Sequence, residues 1–333
     1  MPFSRLGGKL EWKPTEVYRV PTEDGARIAL GRYFPNERKW QQPVVLAHGL
    51  GTNRFALDFD ERYSLAQFLA RRGFETWVLE LRGRGVAGRG FDSSFDDQAK
   101  YDVAAALKAV RSAQPDAREV LWVGHSKGAL LAYAHLARHP DAPIRAIVAL
   151  GAPVSFATHR GVRSFVKLLK PVMRLPVIPL RLLTRPVVPL GLPPDPIGRY
   201  LVNAENMDPK MVHQAIAHVS ADLLGGVARQ FTRWLEHDVF DSNDGFDYRQ
   251  GMRHVRVPLL LLSGEKDLLA PPVSVEHART LVSGPVESHR LGVASGQAVD
   301  YGHGDLSLGQ RAPEEVFPKV AEFLERHAEA AEQ

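Results

Sequence analysis

The sequence predicts an α/β fold with a mostly parallel central sheet and helices on both of its faces. Two observations lead there. Short apolar runs alternate with helix-period segments on the scale of ten residues, which reads as strand following helix following strand. Those runs are apolar throughout, as strands covered on both sides require. A third observation divides the chain. The alternation fails from about Ser155 to Gly251 and then resumes. The expected layout is therefore a core made of residues 1–153 and 251–333, interrupted by a helical insertion over 154–250.

The elements follow in order. "EVYRV" and "ARIALGRYF" flank Asp24-Gly25, a hairpin signal. "PVVLAHG" (43–49) suits a buried strand ending in glycine, and "RYSLAQFLARRG" a helix stopped at Gly73. "FETWVLEL" is the next strand and "YDVAAALKAVRSA" the next helix; "EVLWVG", a helix from Ser126, and "PIRAIVALGAP" continue the rhythm. In the insertion, prolines recur every few residues from Pro171, so helices there are broken. "MVHQAIAHVSADLLGGVARQFTRWLEH" is helical in period. Then come a strand in "VPLLLLSGEKD", a helix in "SVEHARTLV", a strand in "VESHRLGV" and a closing amphipathic helix from near Pro313.

Composition narrows the chemistry. The chain has 333 residues and no cysteine, which excludes disulfides and a thiol nucleophile and fits a reducing compartment. The N-terminal stretch lacks the apolar core of a signal peptide. No window reaches the ~18 apolar residues of a membrane span. A soluble, cytoplasmic protein is expected. The net charge of +4 is concentrated. From Ser155 to Tyr200 stand Arg160, Arg163, Lys167, Lys170, Arg174, Arg181, Arg185 and Arg199 against Asp195 alone. They are interleaved with aliphatic residues and prolines, not with the aromatic platforms of a nucleic-acid binder. An anionic membrane surface or amphiphile is the partner such a block suits, its plain alternative being a solvated face.

Ser126 sits in Gly124-His125-Ser126-Lys127-Gly128, where a strand hands over to a helix. A turn this sharp leaves no room for side chains at 124 and 128, and it projects the serine at a helix N-terminus, where negative charge is favoured. The bland reading of Ser126 is a helix N-cap.

A serine needs a base. His303, between two glycines in "DYGHGDL", is the candidate. Asp267 in "LLLLSGEKDLLAPP" is the candidate orienting acid, with Glu265 its rival. Asp305 is too close in sequence to orient His303 and reads as a loop or capping residue. The oxyanion needs two N–H donors: Lys127, directly after the nucleophile, and Leu50, after His48-Gly49. His48 reads as a residue that fixes this loop.

Taken together, "VVLAHGLG", "GHSKG", "LSGEKD" and "DYGHGDL" resemble the α/β-hydrolase fold over residues ~40 to 330. "HGLG…SLAQFLARRGFETWVLELRGRG" is similar to its acid-lipase-like and bacterial esterase branch. The resemblance implies a serine hydrolase with Ser126 as nucleophile, His303 as base and Asp267 as acid. It also implies a lid lying over the nucleophile, whose aliphatic residues favour medium or long acyl esters. Expected ligands are a small-molecule or lipid ester, with no cofactor. The alternatives are an acyltransferase or thioesterase using the same triad, and a silent lipid-binding scaffold.

Two other motifs point elsewhere. Gly83, Gly85 and Gly88 form G-x-G-x-x-G after a strand, but "RGFDSSFDDQAKYD" is too polar to open a helix at the last glycine, as a dinucleotide site requires. In the hydrolase reading they belong to the loop after the fourth strand, with Arg82 an ion-pair partner. His213 and His218 are five residues apart and point ~140° away from each other on a helix, so no metal is expected.

Overall fold

The structure, a computed structural model, describes residues 10–88, 92–157, 174–184 and 198–331. The strands are β1 (Glu16–Pro21), β2 (Arg27–Tyr33), β3 (Val44–Ala47), β4 (Thr76–Glu80), β5 (Val120–His125), β6 (Ile144–Leu150), β7 (Val177–Ile178), β8 (Leu223–Leu224), β9 (Leu259–Gly264) and β10 (Val286–Leu291). Eight of them form one sheet in the order β1-β2-β4-β3-β5-β6-β9-β10. The first hairpin is antiparallel and turns at Gly25, whose φ of 83° suits glycine. Every pairing from β4 to β10 is parallel.

Alternation along the central strands explains why the runs are apolar throughout. Val45, Ala47, Trp122, Ile147 and Leu261 enter the core under the helices Val103–Ala113 and Lys127–Arg138. Their neighbours Leu46, Val123, Val148 and Leu262 enter the opposite core, under Leu65–Arg71 and Phe317–His327. A strand buried on both faces has no polar register.

Several boundaries differ from the sequence expectation. The polar stretch before Tyr101 does open a helix, at Phe95. Ser94 and Asp97 cap each other's backbone there, and a π-helical turn over Gln98–Asp102 leads into Val103–Ala113. The long helical pattern of the insertion is two helices, Pro209–His218 and Gly225–His237. Between them Leu223–Leu224 pair with Val177–Ile178 as a separate ribbon. The final helix is preceded by a separate turn, Ala312–Glu315, before Phe317–His327. "SVEHARTLV" forms a short helix, Pro272–Glu276, followed by a 3-10 turn.

The insertion has two unlike halves. Trp234, Phe231, Phe240 and Tyr248 close around Phe95, with Trp234 at 4.9 Å between ring centroids, so this half is continuous with the core under Val103–Ala113. The forward half meets the loops at the carboxyl ends of the strands, where α/β sheets bind ligands. Much of the proline-interrupted stretch, with Arg160, Arg163, Lys167, Lys170 and Arg185, lies outside the described residues. Among the described residues no helix is long and apolar enough to cross a membrane.

Candidate active site

β5 ends at His125, and the helix Lys127–Arg138 begins one residue later. Ser126 between them has φ 52° and ψ −118°. Among the described residues only one other non-glycine, Asp238, has a positive φ. Holding a serine there costs on the order of 1–3 kcal/mol. The two glycines are sterically required. A methyl group at Gly124 would come within 2.1 Å of Ala129 N, and one at Gly128 within 2.0 Å of Ala47 O. The missing side chains let the helix press against β3. Trp122 Nε1 donates to Gly128 O at 2.9 Å and pins the contact. Ser126 Oγ makes no hydrogen bond among the described residues.

His303 and Asp267 come together from loops following β10 and β9. Nδ1 of His303 lies 2.8 Å from Asp267 Oδ2. The other carboxylate oxygen accepts from the N–H of Leu269 at 2.9 Å and of Ala270 at 2.7 Å. The acid is thus fixed by its own loop, and one oxygen is left for the imidazole. Gly151 at the exit of β6 makes room: a methyl group there would meet both Asp267 Oδ2 and His303 Nδ1 at 3.2 Å.

The histidine also approaches the serine's neighbour. His125 Nε2 donates to His303 O at 3.0 Å, and the two rings are 4.8 Å apart. Burial pushes the His125 imidazole down to about 4, and His303 beside it pushes the same way. His125 is therefore neutral, and its Nδ1 is a buried acceptor without a partner among the described residues.

Leu50 lies in the loop after β3. A methyl group on Gly49 would stand 3.0 Å from His125 Nδ1 and 3.4 Å from Ser126 Cβ, so the loop runs beside the elbow. His48 holds it there. Its Nδ1 donates to Gly49 O at 3.1 Å, and its Nε2 accepts from Leu81 N at 3.4 Å. Burial, with Lys127 and Arg84 nearby, holds this imidazole far below its usual range. A neutral ring has the one donor and one acceptor those two bonds need. The loop-fixing reading of His48 agrees with these contacts.

Other expected residues fall out as follows. Glu265 pairs with Arg290 at 2.7 Å on the β10 side, leaving Asp267 to meet the histidine. Arg82 bonds Asp102 at 2.7 Å and Asp24 at 3.0 Å, as an ion-pair partner. Gly85–Ala87 form a 3-10 turn, and the next described helix opens at Phe95, not at Gly88. His213 Nδ1 bonds Pro209 O within its own helix. Among the described residues no group of three His, Asp or Glu is placed to hold a metal ion.

Two side chains were invisible to sequence reasoning. Lys127, expected only as a backbone donor, is fully buried, and its Nζ donates to Gln98 Oε1 at 2.6 Å. Burial depresses the amine well below its ordinary range, and Arg84 adds to the effect. Asp305 is also fully buried, at the junction of the His303 loop with the insertion. Nothing local signals either contact, because the partners are 29 and 102 residues away in sequence.

Comparison with known proteins bears on family and fold. The sequence model of the Hydrolase_4 family, described as serine aminopeptidase, S33, matches residues 38–285. Lipase member K of Mus musculus is 24% identical, over 94% of this chain and 88% of its own length. Human lysosomal acid lipase/cholesteryl ester hydrolase is 32% identical over 44% of this chain and 41% of its own. Among solved structures, a thermophilic esterase from Thermogutta terrifontis superposes with a TM-score of 0.64 at 16% identity, covering 94% of this chain and 100% of that one. A monoacylglycerol lipase from Paleococcus ferrophilus gives 0.57 at 20% identity, over 90% and 99%. At these identities the structures speak for the α/β-hydrolase fold alone.

Proposed function

The chain belongs to the Hydrolase_4 family, and from that premise we propose that it is a serine-dependent hydrolase of carboxylic esters carrying a hydrophobic acyl group. Ser126 Oγ attacks the ester carbonyl while His303 Nε2 takes its proton. Asp267 fixes the ring so that Nδ1 carries hydrogen and Nε2 is free to accept. The N–H groups of Leu50 and Lys127 receive the oxyanion; losing one such donor typically costs ~10²–10³ in rate. The proton on Nε2 passes to the leaving alcohol. Water, deprotonated by the same nitrogen, then cleaves the acyl-enzyme and releases the acid.

The observation that carries this reading is the 2.8 Å contact of His303 Nδ1 with Asp267 Oδ2, beside a serine held at positive φ on a strand-to-helix turn. The missing bond from Ser126 Oγ to the imidazole is no objection, since catalytic hydrogen bonds are often long before substrate binds.

The two curated relatives named above are lipases, which favours esters over peptides. Residues 154–250 act as the cap in this reading. A methyl group on Gly51 would touch Leu180 Cδ1 at 3.2 Å, so an aliphatic side chain of the cap stands at the candidate oxyanion loop. Each buried acyl methylene is worth roughly 0.8 kcal/mol. Exposed Leu175 and Leu182 stand beside Arg174 and Arg181, a combination suited to an anionic lipid surface.

The test is turnover of p-nitrophenyl esters from acetate to decanoate, with and without anionic vesicles, alongside an amino-acid p-nitroanilide. Wild type should favour the longer esters, and Ser126→Ala should abolish turnover while keeping the fold. Retained activity in that variant, or cleavage of the anilide alone, refutes the proposal.

A further inference from the structure

The loop bearing His303 is gripped by the insertion. Gly304 N donates to Leu201 O at 2.8 Å, Asn203 Nδ2 to Asp300 O at 2.6 Å, and Gln310 N to Asn206 O at 2.6 Å. The approach is close enough to need glycines. A methyl group at Gly302 would lie 2.6 Å from Asn203 N, and one at Gly309 2.6 Å from Asn206 Nδ2.

At the centre of this joint is the fully buried carboxylate of Asp305. Oδ1 accepts from the N–H of Asn203 and of Gly302, both at 3.0 Å. Oδ2 accepts from Asn206 Nδ2 and again from Gly302 N, also at 3.0 Å. Two donors belong to the insertion; the third is the residue immediately before His303. All are neutral, and burial pushes the carboxyl upward while these bonds pull it down. A charge in such surroundings is a poor way to gain stability. What it does supply is an acceptor with enough lone pairs to hold three donors in one geometry.

We propose that Asp305 is a positioning residue that couples the insertion to His303, so that the imidazole is set in place only while residues 201–206 are docked on the core. This rests on the ester-hydrolase reading, and it adds that the cap takes part in assembling the catalytic pair. Misplacement of a reacting group by about 1 Å can cost ~10²-fold in rate.

The hydrogen bonds specify a swap experiment. In Asp305→Asn the new amide can accept from Gly302 and Asn203 only by turning its NH₂ toward Asn206 Nδ2, donor against donor. Asn206 cannot flip to relieve this, because its Oδ1 accepts from Arg311 N at 3.2 Å. Adding Asn206→Asp converts the clash into a bond and still accepts from Arg311. The single variant should lose about tenfold or more in kcat with KM within about twofold. The double variant should return to within about threefold of wild type.

The imidazole ¹H–¹⁵N signals of His303, assigned with His303→Gln, should shift in the single variant and return in the double. Should Asp305→Asn fail to fold, Asn206→Leu removes the same donor from the insertion side and should move those signals alone. The coupling is overturned if a folded Asp305→Asn keeps wild-type kcat and His303 signals. It is also overturned if the double variant regains its melting temperature but neither kcat nor the signals. If wild type shows no esterase activity and no fluorophosphonate adduct on Ser126, the hydrolase reading fails, and the His303 signals still decide the coupling.

Discussion

Asp267→Asn should be more harmful than Asp267→Ala, and the structure explains why. Oδ1 of Asp267 accepts two backbone N–H groups, from Leu269 and Ala270. An amide at this position must keep its oxygen there, because the reverse orientation would set NH₂ against two buried donors. Its nitrogen therefore faces His303 Nδ1, where the carboxylate Oδ2 now sits at 2.8 Å. That nitrogen can only donate, so Nδ1 must accept, and the ring's hydrogen moves to Nε2. In that tautomer Nε2 cannot take the proton of Ser126. A misassigned tautomer of this kind costs ~10⁴ in kcat, or about 5 kcal/mol of barrier. Alanine leaves the ring without an orienting partner but free to adopt either tautomer, so its loss should be smaller. Stopped-flow acylation with a p-nitrophenyl ester, normalised to folded protein by circular dichroism, gives the comparison. If the asparagine variant keeps more than about a tenth of wild-type acylation, or exceeds the alanine variant, the assignment of Asp267 is wrong.

Ser126→Gly should abolish turnover yet raise stability by roughly 1 kcal/mol, because glycine relieves the positive φ; calorimetry showing a lowered melting temperature would contradict the strain. Gly128→Ala should lose on the order of 4 kcal/mol or fail to fold, because its methyl group meets the backbone of β3; an unchanged denaturation midpoint would count against the elbow geometry. The buried imidazoles set the acid limit. His125 and His135 are each held down to about 4, mainly by burial, while in the unfolded chain they titrate near 6.5. Their stability contribution is therefore complete above about 6.5 and is lost as pH falls from there through about 4, by up to roughly 3 kcal/mol each. Urea denaturation between pH 7 and 5 should show this decline, and a flat profile would refute it.

How much of this was legible in the sequence differs from element to element. The central strands were readable because a strand buried on both faces must be apolar at every position, as in "VVLA" and "LLLL". The elbow was readable because a strand-to-helix turn this sharp forces a glycine at 124 by a contact within five residues, while Gly128 is forced by the backbone of β3 at Ala47. The helix at Phe95 is marked in the sequence by Ser94 and Asp97, which cap each other's backbone; the same polar residues suit a loop, and only the reciprocal cap distinguishes a helix start from one. The break at Ser220–Leu224 carries no local mark. Leucines that pair with Val177 and Ile178 look the same as leucines on a helix face. Ser126, Asp267 and His303 stand on loops where a small set of residue types can serve, so order and context named them. The carboxylate of Asp305 takes one donor from its own loop, Gly302, but its partners in the insertion, like Gln98 for the amine of Lys127, are far away in sequence, and only coordinates bring them together.

The aromatic knot around Phe95 has a consequence for how the molecule loosens. The rear of the insertion shares its apolar burial with the sheet, so it should melt only with the whole. The forward part is attached instead by a smaller apolar cluster, Met207, Met211, Val212 and Val219 against Phe55, Phe59, Tyr63 and Leu308, together with a two-residue ribbon and polar links, and a unit with less shared apolar burial opens at lower free energy than one continuous with the core. Mild denaturant should therefore detach the front of the insertion first, and on the proposed function ester turnover should be lost while the circular dichroism is still native.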